Sequence, residues 1–189
     1  MTLEELSVKY GSDKGSIKHN YCKWYEKYLP KDTKSILEIG CMHGASLRMW
    51  RDYFHGALVA TADLFQNEEF ASKEQIESEG FKAYKIDQGY TEQLATINEK
   101  YEIILDDGSH RADHQIISLK YLFKNNLKSK GLYIVEDLDC NREAFFRHGL
   151  SFRETILWHA EHGILHRLID ETFYAYKLHD NKILFIWKK

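Results

Sequence analysis

The sequence predicts an α/β fold: a doubly wound, Rossmann-like sheet that is mostly parallel and ends in an antiparallel hairpin. Three observations predict it. From Ser35 onward short apolar runs alternate with longer helical stretches, the pattern of strand-helix-strand units. The first of these runs, Ser35 to Ile39, leads straight into a glycine-bearing turn, Gly40-Cys41-Met42-His43-Gly44. The chain then closes on two β-rich runs, Phe173 to Leu178 and Lys182 to Trp187, separated by His179-Asp180-Asn181, a hairpin-turn composition.

Taken in order, Thr2 and Glu5 have capping-box spacing for a short first helix, and Gly11-Ser12-Asp13-Lys14-Gly15 is a loop of turn formers. A second helix follows, with Asn20 as its expected cap, Tyr21, Trp24, Tyr25 and Tyr28 on one face, and Pro30 at its end. Strands are expected at 35–39, 57–62, 82–86, 101–106 and 132–136. Between them, Ala45 to Phe54 reads as helix, Asn67 is expected to cap a helix over 68–79 with Gly80 beyond it, and Asp113 to Lys124 is expected to bury Ile116, Ile117, Leu119, Tyr121, Leu122 and Phe123. Residues 141–168 read as helical or irregular. The expectation is one domain over 1–189, with 1–30 an N-terminal helical lid segment on a sheet domain at 35–189.

Composition narrows the function classes. With 189 residues, 43% of them apolar, a single core is within reach. The 26 basic and 29 acidic residues give a net charge of −3 without long blocks of one sign, so phosphate-neutralising surface is lacking and nucleic acid is not expected as a partner. The longest apolar run is the five residues Ile183 to Trp187, far short of the ~20 a membrane helix needs. Met1 to Lys14 lacks the apolar stretch of a secretion signal, so a soluble, cytoplasmic protein is expected. Three cysteines without CxxC spacing, Cys22, Cys41 and Cys140, are expected to be reduced. Homo-oligomerisation stays open.

The chemistry is written at the carboxyl ends of the expected strands. Gly40 and Gly44 allow a ligand to approach backbone, and the carboxylate of Glu38 suits a cation better than a phosphate, which favours an adenosyl sulfonium ligand carrying an ammonium group. The dinucleotide spacing GxGxxG is absent, because Met42 stands at the middle glycine position. Asp63, 23 residues after Gly40, is placed to accept from ribose hydroxyls, and Asp87 with Gln88 can hydrogen-bond an adenine edge. Asp107 ends the fourth strand region and Glu136 and Asp137 the fifth, so the three carboxylates can converge into an all-oxygen site for magnesium or a similar hard cation, with His110 beside it. His114, one helical turn beyond His110, reads as structural, since no HExxH pattern accompanies it.

The runs LEIGCMHGASLRMWRDYF, ILDDGSH and GLYIVEDL resemble class I S-adenosylmethionine-dependent methyltransferases, specifically the metal-dependent sugar O-methyltransferases of macrolide biosynthesis, of the mycinamicin and tylosin type. YGSDKG with His19 and Tyr21 resembles the GTDK and HxY segment that precedes their catalytic fold, and the closing hairpin suits the same group. The resemblance covers roughly residues 10 to 140. It implies that Asp107, Glu136 and Asp137 hold magnesium, that His110 is the general base, and that Glu38, Gly40, Gly44 and Asp63 line an S-adenosylmethionine pocket. The segment Gly11 to Tyr21 is expected to fold over the cofactor, with Asp13, Lys14 or His19 touching it. The macrolide enzymes carry an additional N-terminal domain, so the acceptor need not be a macrolide. Residues 138–170 are expected to cover it, their Phe145, Phe146, Arg147, His148, Trp158, His159 and His162 suiting either a sugar or an ordinary core and surface. The expected activity is metal-dependent O-methylation of a carbohydrate or other vicinal diol. The competing readings are a catechol-like small-molecule O-methyltransferase, a nicotinamide-dependent oxidoreductase and a non-catalytic adenosyl-binding subunit.

Overall fold

The computed structural model describes residues 1–143, 149–169 and 172–189. They form two compact units, Met1–Lys85 and Ile86–Lys189.

The first unit contains helices α1 (Leu3–Tyr10), α2 (Cys22–Tyr28), α3 (Ala45–Tyr53) and α4 (Lys73–Ser78), and strands β1 (Ser35–Ile39), β2 (Leu58–Asp63) and β3 (Lys82–Lys85). Its strands are parallel, in the order β3-β2-β1, with Ile39 opposite Ala62 and Asp63 opposite Lys85. All five residues of β1 are buried, as in a parallel strand covered on both faces. The capping box of Thr2 and Glu5 forms, and Gly11 ends α1 in the left-handed conformation. The N-terminal helices belong to this unit's core: Leu3, Leu6 and Tyr25 are fully buried, the Tyr25 ring meets Trp50 of α3 edge-on at 5.2 Å, and Tyr10 and Lys9 donate to Asp52.

Two expected caps are corrected here. Asn20 does not cap α2; it takes a left-handed φ of 58°, and the cap position falls to Tyr21, which makes no side-chain capping bond. Asn67 starts no helix, because its side chain accepts from Glu69 N two residues on, a local turn that competes with helix. The helix begins later, after a capping box of Ser72 and Gln75.

The second unit contains α5 (Thr91–Leu94), β4 (Tyr101–Asp106), α6 (Ala112–Asn125), β5 (Leu127–Val135), α7 (Ile156–Glu161), β6 (Phe173–His179) and β7 (Ile183–Lys188), with short 3-10 turns between β5 and β6. The strand order is β4-β5-β7-β6; β4 and β5 are parallel, and β7 runs antiparallel to both neighbours. Asp180 and Asn181 have φ of 54° and 55°, the two left-handed residues that a tight hairpin turn requires. Strand β5 starts at Leu127, earlier than expected, and α5 was not anticipated. The inner stripe of α6 is also corrected: Gln115, Ser118, Leu119, Leu122 and Phe123 are buried, whereas Ile116, Ile117 and Tyr121 are half-buried. Polar residues take core positions there because hydrogen bonds inside the unit satisfy them. Among the described residues no helix is long and apolar enough to cross a membrane.

Candidate active site

In the first unit the turn after β1 is held open by left-handed backbone at Gly40, Met42 and Gly44, with φ of 93°, 44° and 73°. Asp63, at the end of β2, pins two loops at once. Its Oδ2 accepts from Cys41 N at 2.8 Å and its Oδ1 from Phe65 N at 2.9 Å. A carboxylate has about four lone-pair sites, so two remain for ligand hydroxyls, which fits ribose.

Glu38 and Lys14 are both 1% exposed, and Lys14 Nζ lies 3.3 Å from Glu38 Oε1. The other carboxylate oxygen accepts from Ser46 Oγ at 2.7 Å and Trp50 Nε1 at 2.9 Å. The cation that faces Glu38 is thus the lysine of the glycine-flanked loop, and this buried pair ties residues 11–15 to β1. Lys14 O in turn accepts from Tyr21 N and Cys22 N. Burial, then the charges of Glu38 and Asp63, push the Cys41 thiol up to about 12, so it is un-ionised at neutral pH. Cys22, Cys41 and Cys140 form no disulfide among the described residues.

In the second unit Asp106, Asp107 and His110 lie at and just beyond the end of β4, with Glu136 and Asp137 beyond β5. Asp107, His110 and Asp137 each offer a ligand atom, and these lie within 4.8 Å of one another. His110 Nε2 is 3.6 Å from Asp137 Oδ2 and 4.0 Å from Asp107 Oδ1. His110 and Asp137 both have left-handed φ, 55° and 53°, which aims their side chains out of the regular strand-end path. Glu136 is 2% exposed and stands outside this cluster. Successive residues leaving a strand point to opposite sides, so adjacent carboxylates do not automatically share a site.

The loop from Asp107 to His110 rests on a buried platform. Asp106, fully buried, accepts from Gln88 Nε2 at 3.1 Å, from Gly108 N and from Ser118 Oγ. Gln88 Oε1 accepts from Ser109 N at 2.8 Å. The Gln88 amide therefore braces the loop, and the Asp87 carboxylate accepts from Gly89 N beside it. His114 Nδ1 meets Ser109 Oγ at 3.1 Å, consistent with its structural reading. Sequence reasoning missed Gln88 as a brace, Gln115 and Ser118; for Gln115 and Ser118 the readable signal was polar residues at inner positions of a helix.

Burial pushes the Asp106 carboxyl up to about 6, against opposing hydrogen bonds from Ser118 and Gln88. Relative to the unfolded chain, the native state therefore favours the protonated acid, and the group ionises above about pH 6. The resulting stabilisation is present below about pH 4 and is lost as pH rises through about 6. A rise of about two units corresponds to about 3 kcal/mol. Urea unfolding of metal-free protein should show wild type losing stability relative to Asp106→Asn between pH 4 and 7, by a few kcal/mol at most. A pH-independent difference would refute the buried-acid assignment.

Of the aromatic and histidine residues expected to cover an acceptor, Phe145, Phe146, Arg147 and His148 lie outside the described residues. Trp158 stacks on His162 at 4.3 Å and meets His159 edge-on at 5.2 Å, all on or just after α7.

No family model matches the chain. Over 71% of its length it is 31% identical to an L-olivosyl-oleandolide 3-O-methyltransferase of Streptomyces antibioticus. Over 92% of its length it is 31% identical to an 8-demethyl-8-alpha-L-rhamnosyl tetracenomycin-C 2'-O-methyltransferase of Streptomyces olivaceus. The chain spans less than half of these relatives, 36% and 46% of their lengths respectively. Among solved structures, the MycE methyltransferase of the mycinamycin pathway, in complex with Mg, SAH and mycinamycin VI, matches with a TM-score of 0.81 and 23% identity, over 100% of this chain and 53% of that one. An O-methyltransferase from Bacillus cereus in complex with SAH matches with a TM-score of 0.55 and 15% identity, over 99% of this chain and 90% of that one. The chain's sequence relatives are sugar O-methyltransferases, and its fold is that of the class I S-adenosylmethionine-dependent methyltransferases.

Proposed function

We propose that the chain carries the catalytic machinery for transferring a methyl group from S-adenosylmethionine to a hydroxyl of a sugar or another vicinal diol, with a divalent cation such as magnesium. The observation that carries this reading is the grouping of Asp107, His110 and Asp137. Asp107 and Asp137 each bring a carboxylate oxygen to within 4.8 Å of the other, close enough to share one cation, and His110 Nε2 stands beside both, at 4.0 and 3.6 Å. Two carboxylates also suit a hard cation.

The bound cation would lower the pKa of a coordinated hydroxyl. The protein's own groups do the rest. Asp107 and Asp137 hold the ion, with Glu136 kept as a ligand if its buried side chain turns toward it. His110 takes the hydroxyl proton at Nε2 as the oxygen attacks the sulfonium methyl in line and the methyl–sulfur bond breaks, releasing S-adenosylhomocysteine. On the cofactor side, Asp63 binds the ribose hydroxyls, and Gly40 and Gly44 let the ligand approach backbone. Glu38 and Lys14 shape that turn from beneath, Asp87 contributes an acceptor toward adenine, and Gln88 supports the loop of His110. The acceptor is a small molecule or carbohydrate, in keeping with the sugar O-methyltransferases among the relatives.

Calorimetry with S-adenosylhomocysteine tests the cofactor half. Wild type should bind it, and Asp63→Ala should bind it more weakly by about 1 to 3 kcal/mol, the usual loss for a hydrogen bond to a charged group. Binding of NAD with no binding of either adenosyl ligand would overturn the assignment.

A further inference from the structure

Asp137 is a non-glycine residue in the left-handed region, with φ of 53°, and in that conformation its carboxylate stands 3.6 Å from His110 Nε2. Such a conformation persists when its neighbours over-determine it. On its carboxyl side Leu138 N donates to Lys182 O at 2.9 Å, which fixes the following peptide. On its amino side the two peptide groups that flank Glu136 are each held. Glu136 N donates to Asp106 O at 3.0 Å, and Glu136 O accepts from Gln115 Nε2 at 3.1 Å. Rotation about the N–Cα bond of Asp137 swings exactly the carbonyl that Gln115 holds, so that bond resists relaxation of φ to negative values.

Gln115 is itself oriented. It is fully buried in α6, and its Oε1 accepts from Asn141 Nδ2 at 2.9 Å. Asn141, also fully buried, accepts at Oδ1 from Leu157 N in the first turn of α7, at 3.4 Å. Both ends of this chain are backbone groups whose polarity is unambiguous, an N–H at Leu157 and a carbonyl at Glu136. They set the sense of both amides, because a flipped Gln115 would place oxygen against the Glu136 carbonyl.

We propose that Gln115 is a positioning residue of the metal site: by holding the Glu136 carbonyl it keeps Asp137 left-handed and its carboxylate aimed at Asp107 and His110, and through Asn141 it ties that geometry to α7. The metal part of this inference rests on the proposed function; the backbone part does not. The test compares wild type with Gln115→Met and Gln115→Leu, which fill similar space without a donor. Leu119→Ala, a cavity variant on the same helix, is the control for lost stability. Manganese ion alone is titrated by calorimetry, and crystal structures of the metal-free variants report φ of Asp137.

Manganese affinity should fall by about 10- to 100-fold in both Gln115 variants, the span seen when groups that orient metal ligands are removed. Leu119→Ala should keep wild-type affinity below its own melting temperature. In the Gln115 variants Asp137 should leave the left-handed region. A left-handed Asp137 in Gln115→Met, or unchanged manganese affinity in a folded Gln115 variant, would overturn the inference. Absence of manganese binding by wild type would overturn the metal reading instead, and φ of Asp137 would still decide the brace.

Discussion

Replacing His110 with alanine should lower turnover by about 100- to 10,000-fold, the span that loss of a positioned general base produces. His110 Nε2 lies 4.0 Å from Asp107 and 3.6 Å from Asp137, the two carboxylates proposed to hold a cation, so a hydroxyl on that cation would come within reach of the same nitrogen. The loop that carries it is set by Asp106 and Gln88 through backbone N–H groups of Gly108 and Ser109, contacts that the substitution leaves in place. Steady-state turnover on a sugar acceptor, with manganese and S-adenosylhomocysteine affinities measured in parallel, separates the outcomes. Lost turnover with both affinities retained identifies the base. A matching loss of manganese affinity would make His110 a ligand, and turnover within a few-fold of wild type would leave activation of the hydroxyl to the cation alone.

Removing the cation should abolish activity, and magnesium should restore it in wild type. Asp107→Ala and Asp137→Ala should stay inactive after magnesium is returned, because each removes one of the two carboxylates of the cluster. Binding of S-adenosylhomocysteine should change little in these variants, since Gly40, Gly44, Asp63 and Asp87, proposed to contact it, are not part of the cluster of Asp107, His110 and Asp137. Full activity of the chelated enzyme would refute metal dependence. Loss of cofactor binding together with activity would show that the carboxylates serve the cofactor instead.

Strand and site positions were legible to different degrees for physical reasons. Residues 35–39 and 101–106 are read from sequence at their observed bounds, because a strand buried on both faces must be apolar nearly throughout. The Thr2 box was equally plain, since both partners lie three residues apart. Asn20 and Asn67 misled because one asparagine suits a helix cap, a left-handed residue and a local turn alike, and the rest of the chain decides among them.

Local sequence determined the alternation of strands and helices, the glycine turn after β1, the closing hairpin and the carboxylates at strand ends, since each depends on residues a few positions apart. Only the tertiary structure decided which groups meet. It turned the cation facing Glu38 into Lys14, 24 positions earlier in the chain, and joined His110 to Asp107 and Asp137 while leaving Glu136 outside that group. It also buried Gln88, Gln115 and Ser118 as braces. Desolvation makes the difference: a polar side chain taken out of water must find a partner, and that partner is set by packing between elements distant in sequence, which no local pattern encodes.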